Sequence, residues 1–549
     1  MSPICPMTGL SFEVSSEEKA LRKKLGVEGL PQFHPVFRFM QLGAFWQHWN
    51  LFKRKCDKTG QQIISVFSED CPYPVWHKDE WIKNADPPGA DFIEGQPVFP
   101  QLWDFFRRSP IAHNMGAGNE NCEYTDDVWY SKNCYLFHSA LECEDCRYCY
   151  RTIKGKDSMY AAFGFQCERT FDLVYSHSCF NVLFVLSCWD CRDSAFLYDC
   201  RGCSHCFLCS NMRNAQYCFG NEQLSKEAYE AKVREWDLSS QKMYGRAKQA
   251  FQSMLRERAW HRASFIERSD RSTGNYIDHS KNAQNCYFVD DTEDSINVMR
   301  TTGCKDCLDS ISPAVNVQLV YYSCTVQDQC YDVQYGYNLG QCKWMEYCAH
   351  CFQCQHCFGC CGLTGKKYYI FNKPFAEADY EREKQRIIDS MKSTGEYGKF
   401  FPGFFAANPY DESISGFYWP LDVESAKKYG FRLSAKTPVR PSVALDVSGI
   451  PDLSDQAQTS LSKETFWDEK AKRPFQIQAA DMTFAQEIGA PLPTSFYARR
   501  LQENFRMVPF NGMLRKASCG KCQKEVQTSW PGEFDGRIVC EDCYLKEVY

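Results

Sequence analysis

CEDCRYCYRTIKGKDSMYAAFGFQCERTFDLVYSHSCFNVLFVLSCWDCRDSAFLYDCRGCSHCFLCSNMRNAQYC, residues 143–218, places every cysteine at a multiple of three from the next. Within it Cys146, Cys167, Cys188 and Cys209 stand 21 residues apart, and Cys122 to Cys143 and Cys179 to Cys200 repeat the step. A fixed period predicts stacked coils, and 21 residues suits one turn of a parallel β-solenoid. Cysteine is small and apolar enough to fill a narrow interior. The columns Trp129, Tyr150, Phe171 and Tyr175, Phe196, Tyr217 would stack at about 4.8 Å. Asp126-Asp127, Glu144-Asp145 and Arg192-Asp193 would face solvent or turn the chain. The competing reading is an irregular chain of metal knuckles.

Fourteen cysteines lie between 122 and 218 and twelve more between 286 and 361. The second array keeps the step from Cys286 to Cys307 and from Cys330 to Cys351, but 23 residues separate Cys307 from Cys330, which reads as a two-residue insertion in one coil. Each array ends in Cys-Phe-Gly, at 218–220 and 357–359, followed by a Glu-, Lys- and Ala-rich segment with the character of a helix capping an open end. The expected fold is mainly β, with two parallel β-solenoid arrays and capping helices between two zinc-ribbon-like modules.

The end modules emerge from a second duplication. Shifted by 463 residues, Phe12 meets Phe475, Gly26 meets Gly489, Phe33 meets Phe496, Leu51 meets Leu514 and Cys56 meets Cys519, without a gap. The C-terminal copy carries two C-x-x-C pairs, Cys519/Cys522 and Cys540/Cys543, the spacing of two knuckles that give four thiolates to a tetrahedral zinc ion. In the N-terminal copy the aligned residues are Cys56, Thr59, His77 and Glu80. Threonine is not a zinc ligand, so this copy reads as a module that lost its metal and kept its fold by packing, although Cys56 and His77 leave a second zinc open. The expected organisation is an N-terminal module (1–112), a first array (113–225), a helical linker (226–270), a second array (271–365), a helix (366–395), a linker (396–474) and the zinc module (475–549).

Candidate chemistry outside the zinc site is sparse. The runs Cys200, Cys203, Cys206, Cys209 and Cys348, Cys351, Cys354, Cys357, Cys360 have spacing that could serve core packing, zinc or an iron–sulfur cluster. His205 and His356, each before a Cys-Phe pair, could complete such sites or simply sit at a corner. Asp126-Asp127 and Asp290-Asp291 occupy comparable places near the start of each array, as acidic turns or as the carboxylates of a polymer-cleaving site. Residues 242–271 interleave bases with Phe251, Trp260 and Phe265, either a solvated basic helix or a docking face for RNA or an acidic partner. No P-loop, Rossmann, G-x-S-x-G or H-E-x-x-H motif occurs, so no particular reaction is indicated and a non-enzymatic role is favoured over an enzyme, with the enzyme question left open.

The bulk numbers agree. The 549 residues are 44% hydrophobic and 24% charged with a net charge of −6, ordinary for a globular chain and mildly unfavourable for wrapping nucleic acid. The beginning MSPICPMTGL lacks a secretory pattern and no apolar run is long enough to span a membrane. The 33 cysteines are therefore expected in a reducing compartment, the cytoplasm.

The strings LFKRKCDKTGQQIIS, NCEYTDDVWYSKNCYL, CFGCCGLTGKKYYIFNKPF, FYWPLDVESAKKYGF, GAPLPTSFYARR and CEDCYLKEVY resemble a group of cysteine-rich zinc-ribbon proteins with duplicated repeats from uncultivated bacteria. The resemblance covers most of the chain and implies zinc, with a second C-x-x-C in the N-terminal module near His77 and Glu80 that this sequence lacks. It implies no activity. The functional expectation is a zinc-binding structural scaffold that engages a protein or larger assembly. The alternatives are a nucleic-acid- or ribosome-associated zinc-ribbon factor and a polymer-acting β-helix enzyme or metal/redox protein.

Overall fold

The computed structural model describes residues 3–47, 50–435 and 438–549. It is rich in strands, with two large, mostly parallel sheets that contain the two cysteine arrays. In the first, Glu168 pairs with Phe180, Phe180 with Arg192, Arg192 with Ser204 and Ser204 with Gln216, always 12 residues on. The expected 21-residue coil is thereby corrected, because the chain returns to its own edge after 12 residues.

The backbone explains why. From Asn121 to Tyr217 every third residue takes a left-handed φ, between 43° and 61°. Each such corner costs a non-glycine residue about 1–2 kcal/mol. Regular interstrand bonds offset that cost: the corner N–H of Asp145 donates to Lys132 O at 3.0 Å, and that of Tyr148 to Tyr135 O at 2.9 Å. A side is thus three residues long, and four sides span the 12-residue pairing interval. The corners include Asp127, Asp145 and Asp193, so the acidic pairs do turn the chain.

The residue after each corner points inward, which is why the cysteines keep a spacing of three. Cys146, Cys167, Cys188 and Cys209 are all at most 1% exposed. They do not share a column: a 21-residue step is one coil plus three further sides, so each falls on a different side. One true column runs Cys122, Cys134, Cys146, Ser158, Thr170, Val182, Ser194, Cys206 and Cys218, all small residues. The aromatic columns are corrected likewise. Rings stack at the 12-residue step, as in Tyr148 on Tyr160 (5.1 Å, 10°) and Phe184 on Phe196 (5.0 Å, 16°).

The second ladder begins with the same step, Gly274 to Cys286 and Tyr287 to Met299. Gly274 has φ +136°, and a Cβ there would meet Cys286 O at 1.8 Å, so only glycine fits this entry. The step then widens to 13, from Cys304–Val317 to Cys324–Tyr337, and returns to 12 at Tyr331–Lys343. Corners jump from Ser312 to Asn316 and from Thr325 to Gln329. The two extra residues between Cys307 and Cys330 are therefore two single insertions in successive coils, not one bulge.

Cysteine suits the interior because its buried thiol can donate to backbone carbonyls. Cys134 donates to Lys132 O at 3.3 Å, and Cys143 to Thr152 O at 3.2 Å. Every cysteine is a free thiol, and in the arrays all but Cys122 are buried. Burial pushes Cys324 and Cys330 up to about 12, away from the reactive thiolate. Thiol counting with a small disulfide reagent should find very few reactive groups in the native protein, Cys122 first among them, with Cys522 and Cys543 joining when metal is stripped, and the full complement in denaturant. Rapid native reaction of most thiols would contradict this packing.

Each ladder ends by folding back, Gln216–Phe219 on Glu222–Gln223 and Lys367–Ile370 on Lys373–Pro374. The following helices, Lys226–Arg234 and Glu377–Ser393, lay Tyr229 against Tyr217 (5.8 Å) and Tyr380 against Tyr368 (5.7 Å). Residues 396–435 and 438–474 run through short helices and 3-10 turns, and Phe401, Phe405 and Tyr410 are buried there.

The end modules are built alike. Phe52–Lys55 pairs with Gln62–Ser65 as Arg515–Ser518 pairs with Glu525–Thr528. His77 caps the helix Lys78–Asn84, and Cys540 stands at the same place before Glu541–Val548. The expected ungapped alignment needs one correction. Helices Pro35–Gly43 and Tyr497–Phe505 are offset by 462, not 463, so Phe33 and Phe496 are not equivalent: Phe496 occupies the cap position that His34 holds.

Each module touches both ladders. Val75–Trp76 pairs with Ile111–Ala112 at the entry to ladder one, and Ile538–Val539 with His261–Arg262 at the entry to ladder two. In the opposite sense, Arg38 reaches Asp309 of ladder two at 2.5 Å, and Arg500 reaches Asp172 of ladder one at 2.6 Å. The result is an approximate twofold arrangement in which two clamps hold two stacks.

Candidate metal centre

The hairpin Arg515–Ser518/Glu525–Thr528 encloses a tight turn. Cys519 N–H donates to Lys524 O (2.9 Å) and Gln523 N–H to Cys519 O (3.0 Å), which places Cys519 and Cys522 at its tip. The second pair was expected on another knuckle; instead Cys540 opens the helix Glu541–Val548 and Cys543 lies in its first turn. The N–H of Cys540 donates to Cys519 Sγ at 3.3 Å, tying helix to turn.

The four sulfurs lie within 4.8 Å of one another, and Cys522 Sγ is 3.7 Å from Cys540 Sγ. Four thiolates at about 2.3 Å from a tetrahedral ion would be about 3.8 Å apart. The cluster fits a metal ion. Although burial raises the Cys519 thiol, N–H groups of Cys522, Cys540 and Lys521 outweigh it and bring the thiol down to about 6. Cys543 is pushed up to about 12 by hydrogen bonding with the thiols of Cys522 and Cys540, so it holds a proton that binding a metal ion would release.

In the N-terminal module Cys56 is buried and its Sγ accepts from His77 N–H at 3.2 Å, the counterpart of the Cys540–Cys519 bond. Among the described residues Cys56 and His77 join no group of three close ligand atoms. The His77 ring stacks on His113 (4.8 Å), and Trp81 Nε1 donates to Pro110 O (2.8 Å), so side-chain packing occupies this corner.

The C-x-x-C runs at 200–209 and 348–360 also yield no such group among the described residues; successive members turn onto different sides of the coil. His205 and His356 are left-handed corners, the first tilted against Tyr217 (4.9 Å) and the second stacked on Trp344 (4.5 Å). Much of the basic stretch is engaged internally: Arg262 pairs with Glu267 and Glu541, Arg268 with Asp278, and Lys248 donates to Asn504. One further group, Asp278, His279 and Asp290, brings three ligand atoms together, but Arg268 already neutralises Asp278.

Two features escaped the sequence reading. The Arg–Asp clamps join residues hundreds of positions apart, yet Arg38 and Arg500 align at the 462 offset and Glu18 and Asp481 at 463, so the duplication carried the signal. Asp126 and Asp127 line a cavity between the ladders, which no local pattern announces. No helix among the described residues is long and apolar enough to cross a membrane. No protein-family model matches the chain, and no curated protein matches it.

Proposed function

We propose that the chain is a zinc-stabilised scaffold: two β-solenoids with twelve-residue coils, locked side by side, that present ordered rows of side chains to a protein or larger assembly in a reducing compartment such as the cytoplasm. The observation that carries this reading is the placement of the four-cysteine cluster in a module that bonds to both stacks. An all-thiolate tetrahedral set favours zinc. Such a site is closed, with no open coordination position for catalysis.

The outer corners support a binding role. Asn121 Nδ2 donates to Asn133 Oδ1 and Asn133 Nδ2 to Asp145 Oδ1, both at 2.9 Å, and Asn181 continues to Asp193 at 2.6 Å. These rows repeat at the strand spacing of about 4.8 Å and form a pre-ordered polar surface, which lowers the entropic cost of docking. The test is affinity capture with the tagged full chain from native lysate, with and without nuclease. A defined protein set retained after nuclease supports the scaffold. Capture that vanishes with nuclease moves the function to a nucleic-acid- or ribosome-associated factor.

A further inference from the structure

Between the start of ladder one and the middle of ladder two lies a cavity of about 130 Å³. Three carboxylates line it, Asp126, Asp127 and Asp328, and among the described residues no lysine or arginine does. Asp127 is satisfied by Trp129 Nε1 and Ser139 Oγ, both at 2.9 Å. Asp126 accepts the Met115 N–H at 2.9 Å, and burial, then the charge of Asp127, pushes its carboxyl up to about 7. Two cations act on the pair from outside the cavity lining: Lys78 on Asp126, with its Nζ donating to Gly116 O at 2.7 Å, and Arg151 on Asp127, with its guanidinium over the Phe163 ring at 5.0 Å.

The same wall holds buried polar atoms without partners. His350 is 7% exposed and its Nε2 has no hydrogen bond. Asn114 gives its Nδ2 to Thr125 O, but its Oδ1 is unpaired. Buried polar atoms left this way cost about 1–3 kcal/mol each, so a cluster of them around one cavity calls for a ligand, an ion or water there. Burial drives the His350 ring down to about 3, so it adds no positive charge. Trp46, Phe67, Trp129 and Phe352 supply aromatic surface to the same space.

We propose that this cavity binds a small organic cation whose head carries N–H donors, an alkylammonium or a guanidinium. Its charge answers the carboxylates, its N–H groups answer Asp126 and Asn114 Oδ1, and the aromatic rings favour a desolvated cation through their π faces. A neutral polyol would satisfy hydrogen bonds but bring no positive charge to the carboxylates.

The test is calorimetry on the full chain, with tryptophan fluorescence in parallel, using agmatine and putrescine as probes and glucose, choline and magnesium chloride as controls. Saturable binding of agmatine or putrescine at one per chain, at least about tenfold tighter than the controls, is expected. Asp126→Asn should weaken it by about tenfold or more while circular dichroism stays unchanged, and Asn114→Ala reads the same contact if the first variant fails to fold. Absence of saturable binding by either amine, or binding that Asp126→Asn and Asn114→Ala both leave unchanged, overturns the proposal. Preference for glucose or magnesium overturns it equally, assigning the cavity to a polyol or a metal.

Discussion

Stripping metal from the protein, or replacing Cys540 with serine, is expected to unfold the C-terminal module and leave most of both ladders standing. Structural zinc in small modules contributes about 10–16 kcal/mol of apparent binding free energy near neutral pH, and that binding is coupled to folding. Here the metal would tie the turn at Cys519 to the helix that Cys540 opens, two elements otherwise joined by a few bonds such as Cys540 N–H to Cys519 Sγ. Loss should spread locally, because Ile538–Val539 pairs with His261–Arg262 and Trp530 Nε1 donates to Arg262 O at 3.0 Å. Hydrogen exchange after chelation should thus rise across 515–549 and at 261–262, while the interiors of the ladders stay protected. The N-terminal module is the internal control: the same hairpin and helix, held by His77–His113 stacking and Trp81, should not respond. Metal analysis should return about one zinc per chain. A metal-free protein with unchanged exchange would remove the site; stoichiometric iron would keep the cluster and change its ion.

How much of this was legible in the sequence follows from what each pattern encodes. The spacing of three was visible, and it reports the inward direction. The coil length was not, because cysteine is only one of several residues that fill an inward position. In the column from Cys122 to Cys218, Ser158, Thr170, Val182 and Ser194 interrupt the thiols, so the interval of 12 is diluted. The interval of 21 survived because it, too, is a multiple of three. The decisive feature, a left-handed corner at every third residue, is carried by Tyr, Phe, Leu and Arg as well as by Asn and Asp, and those residues do not advertise such a conformation. The zinc-type cluster was readable because ligand spacing is itself local. That its second half sits on a helix was not, since C-x-x-C fits either a turn or a helix start. The cavity and the clamps depend on the two ladders lying side by side, a relation that periodicity within one array does not contain.

The second large effect is expected at the clamp between the C-terminal module and ladder one. Arg500 is buried and grips Asp172 with two bonds, Nε to Oδ1 at 2.8 Å and Nη2 to Oδ2 at 2.6 Å. Tyr244 adds its hydroxyl to Oδ2 at 2.8 Å. Burial alone would raise the Asp172 carboxyl, but the Arg500 guanidinium overrides it and holds it below the usual carboxylate range. Because the folded-state value lies below the unfolded one, the clamp stabilises the protein at neutral pH, and that contribution is lost as pH falls below about 4. Asp172→Ala strands a buried guanidinium and should cost about 3–5 kcal/mol. Thermal melts and hydrogen exchange of helix Tyr497–Phe505 should both register it. Removing both charges is the sharper experiment. A pair of well-packed apolar replacements, Asp172→Leu with Arg500→Met, should recover most of the loss, since a buried ion pair often does no better than a hydrophobic pair of similar volume. If Asp172→Ala alone is neutral, Arg500 has another outlet and the module is held by its hairpin contacts. If the double replacement is as damaging as the single, the clamp is fixing orientation rather than compensating charge, and the equivalent pair Arg38–Asp309 on the other side should behave the same way.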